Sequence, residues 1–207
     1  MYKLPYFTEE DPEKVLAFMK EYPFAVVTGN GNEYPVASHL PVNIEIRESG
    51  KIFLTGHLMK NTDHHKAFEQ HEHVLVIFNG PHTYISASWY ATPAVASTWN
   101  YITVHAKGKI KFTDEAGTLE AIRSITNKYE GNESAASFEN IPPEYVKKLI
   151  NAIVGFEIEV TELNNVFKLS QNHDKENRLS IISHLLNRED EQSNAIAQEM
   201  KKTDGNQ

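Results

Sequence analysis

Short apolar runs separated by turn residues fill the first 112 residues of this chain, and they limit the folds that it can adopt. Residues 24–28 and 34–39 flank Gly29-Asn30-Gly31-Asn32, a strong turn signal, and predict a β-hairpin. Further runs predict strands at 42–47, 51–55, 74–78, 84–89, 99–112 and 156–160, with a turn at 79–81 and a loop at Thr92-Pro93-Ala94. This pattern favours an antiparallel β-barrel over a doubly wound parallel sheet.

The run at residues 106–112 is the clearest strand. Small or apolar residues alternate there with lysines: Ala106, Gly108, Ile110 and Phe112 with Lys107, Lys109 and Lys111. Such alternation predicts a half-buried antiparallel strand with a lysine row on its exposed side. The lysine row is a candidate surface for DNA, although surface lysines commonly protect sheet edges instead.

Helical patterns lie between and after the predicted strands, at residues 11–22, 61–70, 114–129, 143–153 and 174–186. The sequence therefore predicts a mostly β protein with added helices, of the α+β class. Residues 188–207 carry many charges and no aromatic residue, which predicts a flexible charged tail after one domain spanning 1–187.

Composition excludes several kinds of chemistry. The 207 residues include no cysteine, which excludes disulfides, iron–sulfur clusters, thiolate zinc sites and cysteine nucleophiles. Since no apolar run is long enough for a membrane span or a leader, we expect a cytoplasmic protein without a membrane partner. The net charge of −8 argues against autonomous binding to the DNA backbone, but it allows a local basic patch. Since no common catalytic motif is present, enzymatic activity stays uncertain.

The middle of the chain is poor in acids and rich in histidine. Residues 73–113 contain no Asp or Glu, although the chain has 28 of them. This suits an anion site, but central strands also carry few charges, and both interpretations stay open. Six of the ten histidines fall between His57 and His82. A metal site is conceivable there, but solvated surface histidines explain the cluster better, so no metal ligand is assigned.

Two further clusters have functional interpretations. Residues 56–62 offer an ammonium group, an amide, a hydroxyl and N–H groups at a helix start, which are the donors that a phosphate monoester requires. Aromatic residues could line the core or a subunit interface, or form a wall for a flat ring system: Tyr84, Trp89, Tyr90, Trp99 and Tyr101.

Eight blocks of sequence, in order along the chain, are similar to those of one known family. They are Pro35-Val36-Ala37-Ser38-His39-Leu40-Pro41, Gly56-His57-Leu58-Met59-Lys60-Asn61, Val76-Ile77-Phe78-Asn79-Gly80-Pro81-His82-Thr83-Tyr84-Ile85-Ser86, Ser88-Trp89-Tyr90, Thr98-Trp99-Asn100-Tyr101, Val104-His105-Ala106-Lys107-Gly108, Ile153-Val154-Gly155-Phe156-Glu157-Ile158 and Lys168-Leu169-Ser170-Gln171-Asn172. Over about residues 1–187 the chain resembles the PaiB-type FMN-binding negative transcriptional regulators.

The resemblance implies an antiparallel split β-barrel of the flavin-reductase and pyridoxamine-phosphate-oxidase type, with FMN between the two subunits of a homodimer. It implies repression of genes for sporulation and degradative enzymes, and it leaves DNA open as a direct partner. The alternative function is a flavin-dependent oxidoreductase that acts on a small molecule with NAD(P)H or another electron donor.

The resemblance also implies which residues bind FMN. The hairpin strand at residues 38–41 would contact the flavin, and residues 57–61 would bind its phosphate. Residues near 88 and 99, from the partner subunit, would close the site. The implied residues are Ser38, His39, Leu40 and Pro41, then His57, Lys60 and Asn61, then Ser88, Trp99, Asn100 and Gln171. The run Asn61-Thr62-Asp63-His64-His65 departs from the family pattern, which leaves absent or weak FMN binding open.

Overall fold

A computed structural model describes residues 1–2, 4–91, 95–131 and 133–204, with the backbone alone for Asp204. The predicted loop at Thr92-Pro93-Ala94 lies outside these residues. The helices are α1 (Pro12–Glu21), α2 (Asp63–Gln70), α3 (Glu115–Glu130), α4 (Pro143–Ala152), α5 (Lys175–Leu186) and α6 (Glu191–Asp204). The strands are β1 (Phe24–Gly29), β2 (Val36–Pro41), β3 (Asn43–Ile46), β4 (Ile52–Met59), β5 (His73–Ile85), β6 (Thr98–Phe112) and β7 (Ile153–Lys168). Among the described helices, none has the length and apolar character needed to span a bilayer.

The strands in the described part of the chain form one seven-stranded sheet in the order β2-β1-β5-β6-β7-β4-β3. Strand β1 pairs antiparallel with β2 and β5, and β4 pairs antiparallel with β3 and β7. The register places Ser38 opposite Val27, and His57 opposite Gly155. The sheet therefore brings predicted site residues next to strands that are distant in the sequence.

The chain divides into two compact units. Unit 1 consists of Met1–Phe18, Asn79–Val104 and Asn164–Gln207. Unit 2 consists of Met19–Phe78 and His105–Leu163. Strands β5, β6 and β7 contribute residues to both units, because each of these long strands crosses a boundary between the ranges.

The core of unit 2 is built from several strands of the sheet. Val27, Leu54 and Val76 come from three different strands, and each is fully buried. On β6 the lysines are exposed and the residues between them are buried, as the alternation predicts. Helix α3 begins where the Asp114 side chain accepts a hydrogen bond of 2.9 Å from the Gly117 N–H, which caps the helix.

Unit 1 contains the packed helix pair α5 and α6. The sequence predicted a flexible charged tail from residue 188, but the structure has α6 there instead. Buried residues recur at helical spacing along it: Ser193, Ile196, Ala197 and Met200. This prediction was wrong because small residues make up half of the buried stripe, so the charges dominated the pattern.

Strand β5 continues through the predicted turn at Asn79-Gly80-Pro81. Strand β1 pairs with residues 74–77, so Pro81 lies beyond that pairing and its missing N–H costs no ladder bond to β1. A Cβ at Gly80 would lie 2.4 Å from the Phe18 ring, and the close approach of α1 explains the glycine. The strand predicted at 84–89 ends at Ile85, and a 3₁₀ turn follows at Ala87–Trp89.

Candidate functional site

The hairpin residues of the predicted flavin site lie on β2, in unit 2, and point to opposite faces of the sheet. Ser38 lies opposite Val27 on the buried face, and its Oγ has no hydrogen-bond partner among the described residues. His39 is exposed, and its ring centroid lies 6.4 Å from that of Phe24. Leu40 and Pro41 are half-buried. The two polar side chains of this block therefore cannot contact one ligand from the same face.

His57 lies on β4 directly opposite Gly155 of β7. A Cβ at Gly155 would lie 2.8 Å from the Cα of Thr118, and the Gly155 N–H donates to Thr118 Oγ1 at 2.9 Å. The start of α3 therefore packs against the strand next to His57. The Nδ1 atom of His57 is buried without a hydrogen-bond partner in the part of the chain that the structure describes. Burial lowers the pKa of His57, so its imidazole is neutral at neutral pH.

Lys60 and Asn61 link β4 to α2. The Lys60 Nζ donates a hydrogen bond of 2.9 Å to the carbonyl oxygen of Ile150, near the end of α4. The Lys60 N–H bonds to the carbonyl oxygen of Ala152, also at 2.9 Å. Asn61 is exposed and has a φ of 63°, so the chain turns here through the left-handed region. The loop is thus anchored to α4.

Side chains at the start of α2 accept hydrogen bonds from two N–H groups of its first turn. The Thr62 Oγ1 accepts from the His65 N–H at 3.3 Å and donates to the Met59 carbonyl oxygen at 3.0 Å. The Asp63 carboxylate accepts from the His64 N–H at 2.8 Å. The Thr62 hydroxyl and the N–H groups of His64 and His65 therefore already have partners within the loop.

In unit 1, Asn100 is completely buried. Its side-chain amide donates to Ser170 Oγ at 2.9 Å and accepts from the same hydroxyl at 3.2 Å. It also lies 3.6 Å from the sulfur of Met200. Ser170 has a φ of 60°, an unusual conformation for serine, and it was not among the predicted site residues. This network gives Asn100 a structural role between β6, the turn after β7 and α6.

The aromatic residues near Trp99 form an exposed surface of unit 1. Trp99 is 52% exposed and Tyr84 is 41% exposed, and their ring centroids are 6.1 Å apart. The His82 ring lies 6.1 Å from Trp99 on the same surface. We call these three residues the aromatic surface.

The remaining two predicted residues bond within their own segments. Ser88 is exposed, and its hydroxyl lies 2.9 Å from that of Ser86. The Gln171 side chain accepts from the Leu169 N–H at 2.7 Å and donates to the Phe167 carbonyl oxygen. Gln171 therefore closes the turn after β7.

Two of the three lysines in the lysine row of β6 are paired with acids on neighbouring segments of unit 2. Lys107 lies 2.9 Å from Glu162, and Lys109 lies 2.5 Å from Glu72. The hydrogen bond from Lys109 lowers the pKa of the Glu72 carboxyl group. Lys51 and Glu159 form a similar pair on the same unit. These pairs remove most of the positive charge that DNA would require.

The histidine cluster does not assemble into a metal centre in the described residues, where no three His, Cys, Asp or Glu side chains come close enough to share an ion. His64 lies near Asp63, and His65 lies 3.7 Å from Glu69, which is beyond hydrogen-bond distance and leaves His65 Nδ1 buried without a partner among the described residues.

Comparisons with known proteins agree with this architecture. The chain is similar to the flavocytochrome Anf3 from Azotobacter vinelandii, with a TM-score of 0.64 and 19% identity over 86% of this chain and 78% of that one. It is also similar to the FAD and heme binding protein from Mycobacterium smegmatis, with a TM-score of 0.59 and 12% identity over 83% of this chain and 78% of that one. The predicted antiparallel split barrel with added helices is confirmed.

The sequence comparisons identify the family. Over 202 residues the chain is 32% identical to "Protease synthase and sporulation protein PAI 2" of Bacillus subtilis (strain 168), and the match covers 97% of each protein. A family model described as "Putative FMN-binding domain" matches residues 1–162. The chain therefore belongs to this FMN-binding domain family and, within it, to the PaiB-type proteins.

Proposed function

We propose that the protein is a flavin-binding homodimer that acts as a regulator of the PaiB type. The observation that carries the proposal is the family match over residues 1–162, which includes the hairpin and the His57 segment. The name of the Bacillus subtilis relative refers to sporulation and to protease synthesis, which supports a regulatory role.

The flavin would be held in unit 2 by groups that the fold leaves available. His57 Nδ1 is buried and lacks a partner among the described residues, while His39 and Asn61 are exposed. Buried polar atoms in proteins nearly always have a partner, so a ligand that bonds His57 would account for this nitrogen. A bound flavin would supply a ring that accepts hydride or electrons, and the chain would hold and orient it.

Flavin binding is tested with the purified full chain. We expect an absorbance band near ~450 nm that is released on denaturation, or quenching of flavin fluorescence on titration. The His57→Ala variant should bind more weakly than the wild type, whereas the His71→Ala variant should bind equally well, because His71 is exposed and outside the implied site. Absence of binding by the wild type would end the proposal. Sustained oxidation of NADH or NADPH by the loaded protein would favour the oxidoreductase alternative instead.

A second copy of the chain is proposed to cover the aromatic surface. Residues 79–104 contain no Asp, Glu, Lys or Arg, and Trp99 and Tyr84 are both exposed. The centres of protein interfaces are poor in charge and rich in aromatic residues, which supports this assignment. Trp99→Ser should shift the protein towards monomer in light scattering, whereas Tyr34→Ser, at a 79% exposed position of unit 2, should not. A monomeric wild type would contradict the dimer.

Regulation through direct DNA contact is not assigned to the lysine row, because Lys107 and Lys109 are both paired with glutamates. A promoter fragment can be titrated at several salt concentrations. Sequence-specific binding that Lys109→Met abolishes would contradict this part of the proposal. Weak binding with a shallow salt slope and no sequence preference would argue against direct DNA contact altogether.

A further inference from the structure

The family resemblance places the flavin phosphate at residues 57–61, and the loop from Lys60 to Asp63 leads from this segment into α2. We infer that this loop does not recognise phosphate in this chain, so that the protein binds riboflavin about as tightly as FMN. The inference rests on the proposed flavin binding and specifies which flavin the site prefers.

The one cation of the loop is held by the negative end of a helix. Lys60 Nζ donates to the Ile150 carbonyl oxygen, and the Lys60 backbone N–H bonds to the Ala152 carbonyl oxygen. Both carbonyls lie in the last turn of α4, and that end of a helix carries a partial negative charge. The charge of the ammonium group is therefore partly balanced before any ligand arrives.

Two N–H groups in the first turn of α2 already have side-chain acceptors. Thr62 Oγ1 accepts from His65, and the Asp63 carboxylate accepts from His64. Phosphates bind at helix N-termini through such N–H groups. The Asp63 side chain is 83% exposed in this first turn, and its negative charge would repel a phosphate dianion.

The other groups near the loop are neutral. Asn61 offers an amide, and the half-buried His57 offers an imidazole that burial keeps uncharged at neutral pH. Neutral donors and acceptors suit the ring carbonyls and ribityl hydroxyls, which FMN and riboflavin share. The two flavins differ only in the phosphate. The positive charge of Lys60 is offset by the negative charge of Asp63, so the loop offers no net positive charge to that group.

The first test compares the dissociation constants of FMN and riboflavin for the wild-type full chain by fluorescence quenching. We expect values within about threefold of each other, because a charge-assisted phosphate contact would separate them by about tenfold or more. FMN binding that is at least about tenfold tighter than riboflavin binding would overturn the inference and leave the proposed flavin binding intact. Absence of binding by either flavin would overturn both.

The second test uses two lysine variants with the same change in charge. Lys60→Met should leave the ratio of the two dissociation constants as in the wild type, and so should Lys66→Met at an exposed position of α2. A selective loss of FMN affinity of about tenfold in Lys60→Met, with no change in Lys66→Met, would show that Lys60 binds the phosphate.

The third test asks whether a phosphate preference can be restored. Asp63→Asn should strengthen FMN binding several-fold without changing riboflavin binding, since it removes the repelling carboxylate. Glu144→Gln is the matched control, because Glu144 is 82% exposed and also lies in the first turn of a helix of unit 2. An unchanged FMN affinity in Asp63→Asn would overturn the electrostatic argument.

Discussion

The two units differ in how many buried polar side-chain atoms lack a hydrogen-bond partner. In unit 1, Asn100, Ser170 and Arg178 all have partners, and among its described residues only the Tyr90 hydroxyl has none. In the described part of unit 2 four such atoms have none: Ser38 Oγ, His57 Nδ1, His65 Nδ1 and Thr113 Oγ1. Paired polar groups stabilise a fold, whereas an unpaired one costs free energy unless a ligand pairs it. The difference indicates that the polar residues of unit 1 are structural and that unit 2 is where a ligand has more to contribute.

The largest effect is expected at Arg178, which bonds the carbonyl oxygens of Leu169 and Met200 and the hydroxyl of Thr203. Arg178→Met removes three hydrogen bonds from a charged donor, although the Met200 carbonyl oxygen still accepts from Thr203, and should lower the free energy of unfolding by about 3–4 kcal/mol. Urea denaturation measures this change. Arg123→Met, at an exposed ion pair of α3, is the control and should have little effect. A small loss of unfolding free energy in Arg178→Met would mean that the paired polar groups of unit 1 do not stabilise the fold, which contradicts the comparison.

The next effect is expected at Asn100, for which the structure and the family resemblance give different roles. Asn100→Ala removes the partner of Ser170 and should lower the free energy of unfolding by about 2 kcal/mol. Flavin affinity, measured where the variant is still folded, should change much less than stability. A large loss of affinity at unchanged stability would make Asn100 a ligand and reverse the comparison.

For unit 2, the burial of His57 can be tested through the pH dependence of the free energy of unfolding. Burial lowers its pKa below the ordinary value of 6.5, so just below that pH the unfolded chain binds more protons than the folded one. The stability that the neutral imidazole contributes is complete above the ordinary pKa and is lost as the pH falls through the lowered one. His57→Gln should therefore flatten the loss of stability on acidification in urea titrations.

Two other histidines also contribute to the pH dependence of stability. Burial also lowers the pKa values of His105 and His173, so part of the slope should remain in His57→Gln. A slope in His57→Gln identical to that of the wild type would mean that His57 is not desolvated in solution.

The smallest effect is expected in the lysine row. Lys109→Met removes an exposed pair with Glu72, and exposed ion pairs contribute little to stability because water and salt screen them. We expect a urea midpoint that cannot be distinguished from that of the wild type. A clear loss of stability would show that paired charges on the surface of unit 2 matter as much as the buried network of unit 1.

Local signals in the sequence predicted much of this fold. The N-caps at Asp114 and Asp174 mark the starts of α3 and α5 as expected, since a cap depends on residues within one turn. The alternation along residues 106–112 gave the exposed and buried faces of β6 correctly. These features are decided by near neighbours, which the sequence displays directly.

The rest depends on partners that are distant along the chain. Strand β7 runs to Lys168, well past the predicted end at residue 160, because pairing overrides the polar run after Thr161. The acids that balance the lysine row come from Glu72 and Glu162, which no local pattern connects to it. The opposite orientations of Ser38 and His39 follow from strand alternation, but the face that is buried depends on which strands pair.

The match to the family model ends at residue 162, inside β7, and β7 lies between β6 and β4. A chain shortened to that position would lose the last residues of an interior strand together with Ser170 and Met200, the partners of Asn100. The span that the family model matches is therefore smaller than the span that these contacts connect, and experiments with truncated proteins should retain both C-terminal helices.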